Sequence, residues 1–428
     1  MGDPRQESIE RVSAAIGTIR SKGRLLEDVA WPREVETAFF DGGAERLPKV
    51  TYEVDRDTLG AELSLLTEVE RGLAGDDAVT RWLRALIGSH VDRNRLLLAV
   101  GTREFGRISS EIYGGARSRF FGLSITNLDL AEHLEKRLAT HGWDAARAPE
   151  EPMDAGRLVE FLQTRIQKRR APIQVVLDPD CNAKAIAGAK KVRVRPDATF
   201  TSWEAEGLYR HEVETHAFSA LNGADSAFPQ LLRSGGPRST PTQEGLAVFA
   251  ELYHRSLATP RLHRLATRVR LVAMAEDGAS FLDVYRHLVR ETGSSPRDAY
   301  LDAARVFRGG PPEGGGPFTK DSCYLAGLVH VHAFLAAFVR AGFRDECELL
   351  LAGRFPLEHF EAIVELHALG MLSTPRWLPR WVREWETLLP YFAFASFMDG
   401  IELKPVEERY ADVIRLAAAA RAPQPTAS

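Results

Sequence analysis

Apolar positions recur at steps of three and four through most of the chain. Ile9, Val12, Ile16 and Ile19 share one face of a helix predicted over 7–26. Leu59, Leu63, Leu66 and Val69, then Val79, Leu83, Leu86 and Ile87, mark helical runs within 57–100, and the breaks at Gly72 and Gly75 predict antiparallel helices. Residues 103–113, 128–141 and 154–170 carry the same period. Residues 50–54 read as a short strand. The period then falls to two: 173–177 is a β-branched apolar run and 192–195 alternates, so two strands are expected, joined by the Ala-rich segment 183–190. Helical patterns return at 201–223, 240–257, 261–275, 279–292, from Ser295-Pro296 to Phe307, and across 321–421. The expected fold is α+β, predominantly α-helical, with a small β-sheet.

Helix-start signals sharpen two of these segments. Thr201 with Glu204, and Thr240 with Gln243, have capping-box spacing, and Pro241 suits a first helical turn. Asn222-Gly223 is an expected helix end. The stretch 308–321, RGGPPEGGGPFTKD, is dense in Gly and Pro, and its place between helices predicts an ordered loop beside a cleft rather than a linker. No strand precedes it and no G-K-[ST] follows, so it is not a phosphate loop. The organisation expected is a helical extension over 1–46, a helical scaffold over 47–170, a catalytic region over 171–421 and a disordered tail over 422–428.

The catalytic expectation comes from RHEVETH. His211 and His216 flank Glu212, the grouping of two imidazole ligands and a proton-handling carboxylate found in zinc hydrolases. The usual H-E-x-x-H spacing stacks its His residues at i and i+4. Here the spacing is i, i+5, which on a regular helix separates the side chains by about 140°. A π-type turn restores the match, because its i→i+5 bond stacks residues five apart. A tetrahedral zinc site needs another protein ligand and leaves one position for water. Glu244, in the first turn of the helix opened by TPTQ, is the candidate.

HEVETH followed by TQEGLA resembles the QEGLA-motif protein family, whose bacterial members are labelled flavohaemoglobin-expression modulators. Its animal relatives include the microtubule-associated tubulin tyrosine carboxypeptidases. GGGPFTKDSCYLAGL is a further match, and SSEIYGG and LLAGRFPLEHF are weaker ones. The resemblance spans roughly 47–403. It implies a zincin-like metallopeptidase domain with the sheet beside the metal-binding helices, one Zn2+ held by His211, His216 and Glu244, and Glu212 as acid/base. The tetrahedral oxyanion needs a donor besides zinc, for which Tyr324 and His330 are candidates. A carboxypeptidase also needs a cation for the terminal carboxylate. Lys320 and Arg308 are the choices, with Arg233 and Arg238 behind them. Strand 192–195 is a candidate edge for pairing with extended substrate, and equally a plain structural strand.

Composition narrows the alternatives. With 55 basic and 59 acidic residues the net charge is −4, which gives no field for nucleic acid or an anionic membrane. Cys181, Cys323 and Cys347 are an odd, scattered set, expected as reduced buried residues. MGDPRQESIE has no apolar signal region, and no apolar run suggests a span, so a cytoplasmic protein is expected. The expected function is a zinc-dependent carboxypeptidase acting on a peptide or protein C-terminus. A metal-binding regulatory or interaction protein without catalysis is the alternative.

Overall fold

A computed structural model describes residues 4–19, 25–139, 152–179, 181, 184–188, 190–233 and 235–398, with Pro405 and Glu408. The expected tail over 422–428 lies outside the described residues. Helices dominate, as the three-and-four period requires. Ile9, Val12, Ile16 and Ile19 are all buried by the first helix, Pro4–Thr18, and its end. Arg56–Arg71 and Ala78–Leu98 form the expected helix pair, each opened by an aspartate (Asp55, Asp77) that accepts a hydrogen bond from a backbone N–H of the first turn. Residues 50–54 form no strand; Tyr52 there is a hydrogen-bonding node instead.

The sheet has three strands: β1 (Gln174–Leu177), β2 (Ala185–Ala187) and β3 (Lys191–Val194), in the order β1-β3-β2. β3 pairs parallel with β1 and antiparallel with β2. This corrects the edge assignment: 192–195 falls mainly in the central strand, and the Ala-rich connection itself supplies the edge. Arg195 N–H bonds to the Lys184 carbonyl and Gly188 N–H to the Lys191 carbonyl. By antiparallel alternation, the backbone groups of Ala185 and Ala187 therefore point away from β3, toward the open edge.

The largest core among the described residues joins the first three of the four expected segments. Ile16, Trp82, Phe249, Leu335, Ile363 and Trp381 belong to one cluster of buried side chains. At its centre the helices Thr240–Tyr253 and Cys323–Ala341 cross in backbone contact. A Cβ on Gly245 would lie 2.3 Å from the Gly327 carbonyl oxygen, so only glycine allows this approach. That crossing sets Glu244, the neighbour of Gly245, against the start of the second helix. Thr319–Ala341 reaches a mean hydropathy of 1.7 over 18 residues, enough by length and composition to cross a membrane. The reading that no such run exists is corrected here. In this fold the segment packs on Thr240–Tyr253 and Trp385–Met398 as a central helix.

The Gly/Pro stretch is an ordered loop. A Cβ on Gly106 would lie 2.5 Å from Gly316, so the loop backbone lies directly on the helix Arg103–Tyr113. The residues of FTKD are structural as well. Thr319 N–H donates to Ser109 Oγ at 2.9 Å, and Asp321 accepts from Arg305.

Candidate metal centre

The helix that carries the two histidines begins at the expected capping box. Glu204 N–H donates to Thr201 Oγ1 at 3.1 Å, and Thr201 N–H donates to Glu204 Oε2 at 2.9 Å. The helix runs over Ser202–Leu208, widens into a π-helix over Tyr209–Ala217, and returns to α over Phe218–Asp225. It does not end at Asn222-Gly223. Asn222 instead ties in two other segments, donating to the carbonyls of Leu351 and Trp377. The wide turn accounts for the extra residue of HEVETH. Thr215 Oγ1 donates to the Arg210 carbonyl five residues back, at 2.9 Å. Val213 and Ala217 bury the opposite face against the sheet. Glu214 is not solvated. It is 2 % exposed and paired with Arg210 and Arg169, which pins the helix from a third side.

The π-turn brings the two imidazoles together, with ring centroids 4.8 Å apart and planes near perpendicular. Glu244 completes the group. Its Oε2 lies 3.3 Å from His211 Nε2 and 3.4 Å from His216 Nε2. The three ligand atoms all lie within 4.8 Å of one another. Glu244 Oε2 is buried without a hydrogen-bond partner. Two imidazole nitrogens and an unsatisfied carboxylate oxygen facing one point fit a small divalent cation. The helix supporting Glu244 starts differently from the sequence reading: Ser239 is the N-cap, no side chain caps it, and Gln243 reaches the Gly353 carbonyl at 3.4 Å. A 3-10 turn at Pro237–Ser239 feeds directly into this helix and replaces the capping box.

Two of the three ligands, His211 and Glu244, are held from behind. His211 Nδ1 lies 2.7 Å from Glu251 Oε1, leaving Nε2 toward the shared point. Glu251 is two turns beyond Glu244 on the same helix, and Arg261 approaches it at 3.4 Å. Lys320 Nζ donates to Glu244 Oε1 at 2.9 Å. Burial opposes charging His211, but the close carboxylates of Glu244 and Glu251 outweigh it and push the ring up to about 10. Burial likewise opposes the Glu244 carboxylate, yet Lys320 and the imidazoles hold it well below the usual carboxylate range.

Glu212 and Tyr324 flank the group on the wall of a cavity of about 970 Å³. Ala187 N–H, from the open edge of β2, donates to Glu212 Oε2 at 2.8 Å. Tyr324 stacks near His211, with centroids 6.4 Å apart, and its Oη accepts from Lys320 Nζ at 3.2 Å. An ammonium only donates, so the Tyr324 hydroxyl proton remains free to donate elsewhere. Burial pushes the Tyr324 phenol up, and nearby Glu244 adds to this.

Of the two cations expected at a substrate carboxylate, Arg308 lines the cavity and Lys320 does not. Lys320 is buried against Glu244 and Tyr324, where it donates to the carboxylate and the phenol oxygen. Arg308 makes no salt bridge with the described residues, and its Nε is buried without a hydrogen-bond partner. Burial, with Arg305 beside it, lowers its pKa to about 10. The runner-up Arg238 is paired to Asp92, and His330 packs on Phe120 and Phe121, away from the cavity.

Glu251, Arg261 and Arg354 were missed in the sequence. Arg354 is half-buried, with Nη2 3.4 Å from the His216 carbonyl. The only sequence signal for it is its place in LLAGRFPLEHF. Glu251 sits at i+7 from Glu244, a spacing that core helices carry routinely. Its replacement by Ala should weaken the binding of a divalent cation at this candidate site 10- to 100-fold, because the His211 ring loses its orienting partner. Competition with a chelator checks this, and an unaltered affinity would contradict it.

A family model described as microtubule-associated tyrosine carboxypeptidase matches residues 37–400. No curated protein matches the chain.

Proposed function

The chain belongs to the microtubule-associated tyrosine carboxypeptidase family, and from that premise we propose that it is a zinc-dependent carboxypeptidase with His211, His216 and Glu244 as ligands. The observation that carries the metal is the meeting of two Nε2 atoms and an otherwise unpaired Glu244 oxygen on one point. Zinc, when bound there, would acidify a water and polarise a carbonyl.

The chain's own residues supply the rest. Glu212, fixed by the Ala187 N–H, takes the proton of the attacking water and returns it to the leaving amine. Tyr324, its oxygen already accepting from Lys320, donates its proton to the developing oxyanion. Arg308 receives the terminal carboxylate, its guanidinium facing a cavity without a counter-carboxylate in salt-bridge contact. Backbone groups of Ala185 on the β2 edge are available to pair with the extended substrate. Two ligand-bearing helices with an edge strand alongside support a zincin-like arrangement.

Peptides differing only at the last residue, incubated with zinc-loaded protein and read by mass spectrometry, test this reading. The expected product lacks the final residue, is lost with a chelator and returns with added zinc. Stoichiometric zinc with no cleavage of any peptide would leave the metal-binding regulatory protein as the better account.

A further inference from the structure

The cavity has a wall that lies outside the family match. Trp31, Arg33 and Glu36 all line it, yet they precede residue 37. This segment is fastened on both sides. Glu36 pairs with Arg297 at 3.0 Å, and Arg297 belongs to the helix Pro296–Phe307, which also faces the cavity. The Trp31 ring packs on Phe281 and Tyr300, with centroids 5.2 and 6.3 Å away.

The indole also reaches the turn that presents Arg308. Trp31 Nε1–H donates to Tyr52 Oη at 2.8 Å, and Gly309 N–H donates to the same oxygen at 2.7 Å. Arg308 is the residue at which the helix Pro296–Phe307 stops, with an extended ψ of 130°. Gly309 follows at φ 82°, and a Cβ there would lie 2.1 Å from the Phe105 ring. The turn is therefore bound to glycine, and its N–H depends on Tyr52. Trp31 and the Gly309 N–H next to Arg308 thus meet at one hydroxyl, and Trp31 and Arg308 both line the cavity.

We propose that Trp31 makes the cavity selective for a chain end. Its ring forms the cavity wall beside Arg308, and through Tyr52 its N–H holds the turn that aims Arg308 at a terminal carboxylate. Trp31 is a positioning residue for Arg308 and a barrier to a peptide that continues past the leaving residue. This rests on the carboxypeptidase reading, with Arg308 as the carboxylate partner.

Two peptides identical except for a free or amidated C-terminus test it, with zinc-loaded wild type, Trp31→Phe, Tyr52→Phe and Trp31→Ala. Tyr52→Phe keeps the ring and removes the hydroxyl of the relay, and Trp31→Phe keeps an aromatic ring while removing the indole N–H and part of its bulk, so folding is expected to survive both. Wild type should favour the free acid. Both Phe variants should lose roughly tenfold of that preference, through KM for the acid rather than kcat, the size expected for one weakened charge-assisted contact. Trp31→Ala should in addition cut the amidated peptide at a bond before the last one. A wild-type preference preserved in all three variants would overturn the role of Trp31 and leave the enzyme reading intact. Cleavage of neither peptide by wild type would overturn the enzyme reading, and this inference with it.

Discussion

Glu212→Gln should lower the turnover of C-terminal cleavage about 10²- to 10⁴-fold while leaving zinc in place, the range for loss of a positioned acid/base. Glu212 is not one of the three converging ligands, and its Oε2 is engaged by the Ala187 N–H. A carboxamide oxygen can accept the same hydrogen bond, so the side chain keeps its place. What it loses is the ability to take a proton from water near neutral pH. Metal content and kcat measured on one preparation separate the two effects. Retention of more than half the activity would remove Glu212 from the chemistry. Loss of zinc alongside the activity would make it a structural or ligating residue instead.

The largest stability effect is expected at Asp321→Asn. Asp321 is 1 % exposed and accepts from Arg305 Nε at 2.6 Å and Nη2 at 2.7 Å, with Arg268 Nε 3.6 Å away. Neutralising it removes the carboxylate shared by Arg305 and Arg268 and leaves, among the described residues, only Asp302, 3.7 Å from Arg268, beside them; breaking a buried pair in this way costs about 3–5 kcal/mol. Burial alone would raise this carboxyl, but Arg305 and Arg268 outweigh it and hold it below its ordinary value. A depressed folded value gives stability that is fully present above the unfolded value of about 3.9 and fades as pH falls below it. Urea unfolding of wild type and Asp321→Asn should therefore differ most near neutral pH and converge in acid. A gap that stays constant between pH 7 and pH 3 would contradict this assignment. Because Asp321 precedes Cys323–Ala341 and lies next to Lys320, the variant also tests how firmly the arginine cluster supports the metal site.

Much of this was legible in the residues, for identifiable reasons. Apolar period three-to-four marks helices wherever one face is buried, and Ile9 to Ile19 or Leu59 to Val69 show it plainly. The i, i+5 spacing of His211 and His216 pointed to a π-turn, because no regular helix stacks such residues, and the π-helix is there. The identity of the edge strand was not legible. Ala185 and Ala187, on either side of Ile186, have low strand propensity, and the pairing of β3 on both sides draws the segment into the sheet. The start of the Glu244 helix was misread for a similar reason. Thr240 and Gln243 have the spacing of a capping box, but the turn at Pro237–Ser239 continues into the helix and the Gln243 side chain is drawn to Gly353. Lys320 was expected at a substrate carboxylate, but a sequence does not say which carboxylate a lysine will meet. Here Glu244 is 2.9 Å away. Glu251 and Trp31 carried no signal, since each acts through contacts with residues remote in the chain.

The central claim is that His211, His216 and Glu244 hold one metal ion together. Elemental analysis of protein stripped of metal, reloaded with zinc and desalted tests it most directly, beside His216→Ala and Glu244→Ala. The expected result is one zinc per wild-type chain and none retained by either variant, with the fold checked by circular dichroism. Wild-type protein that retains no zinc, or folded variants that retain as much as wild type, would contradict the claim.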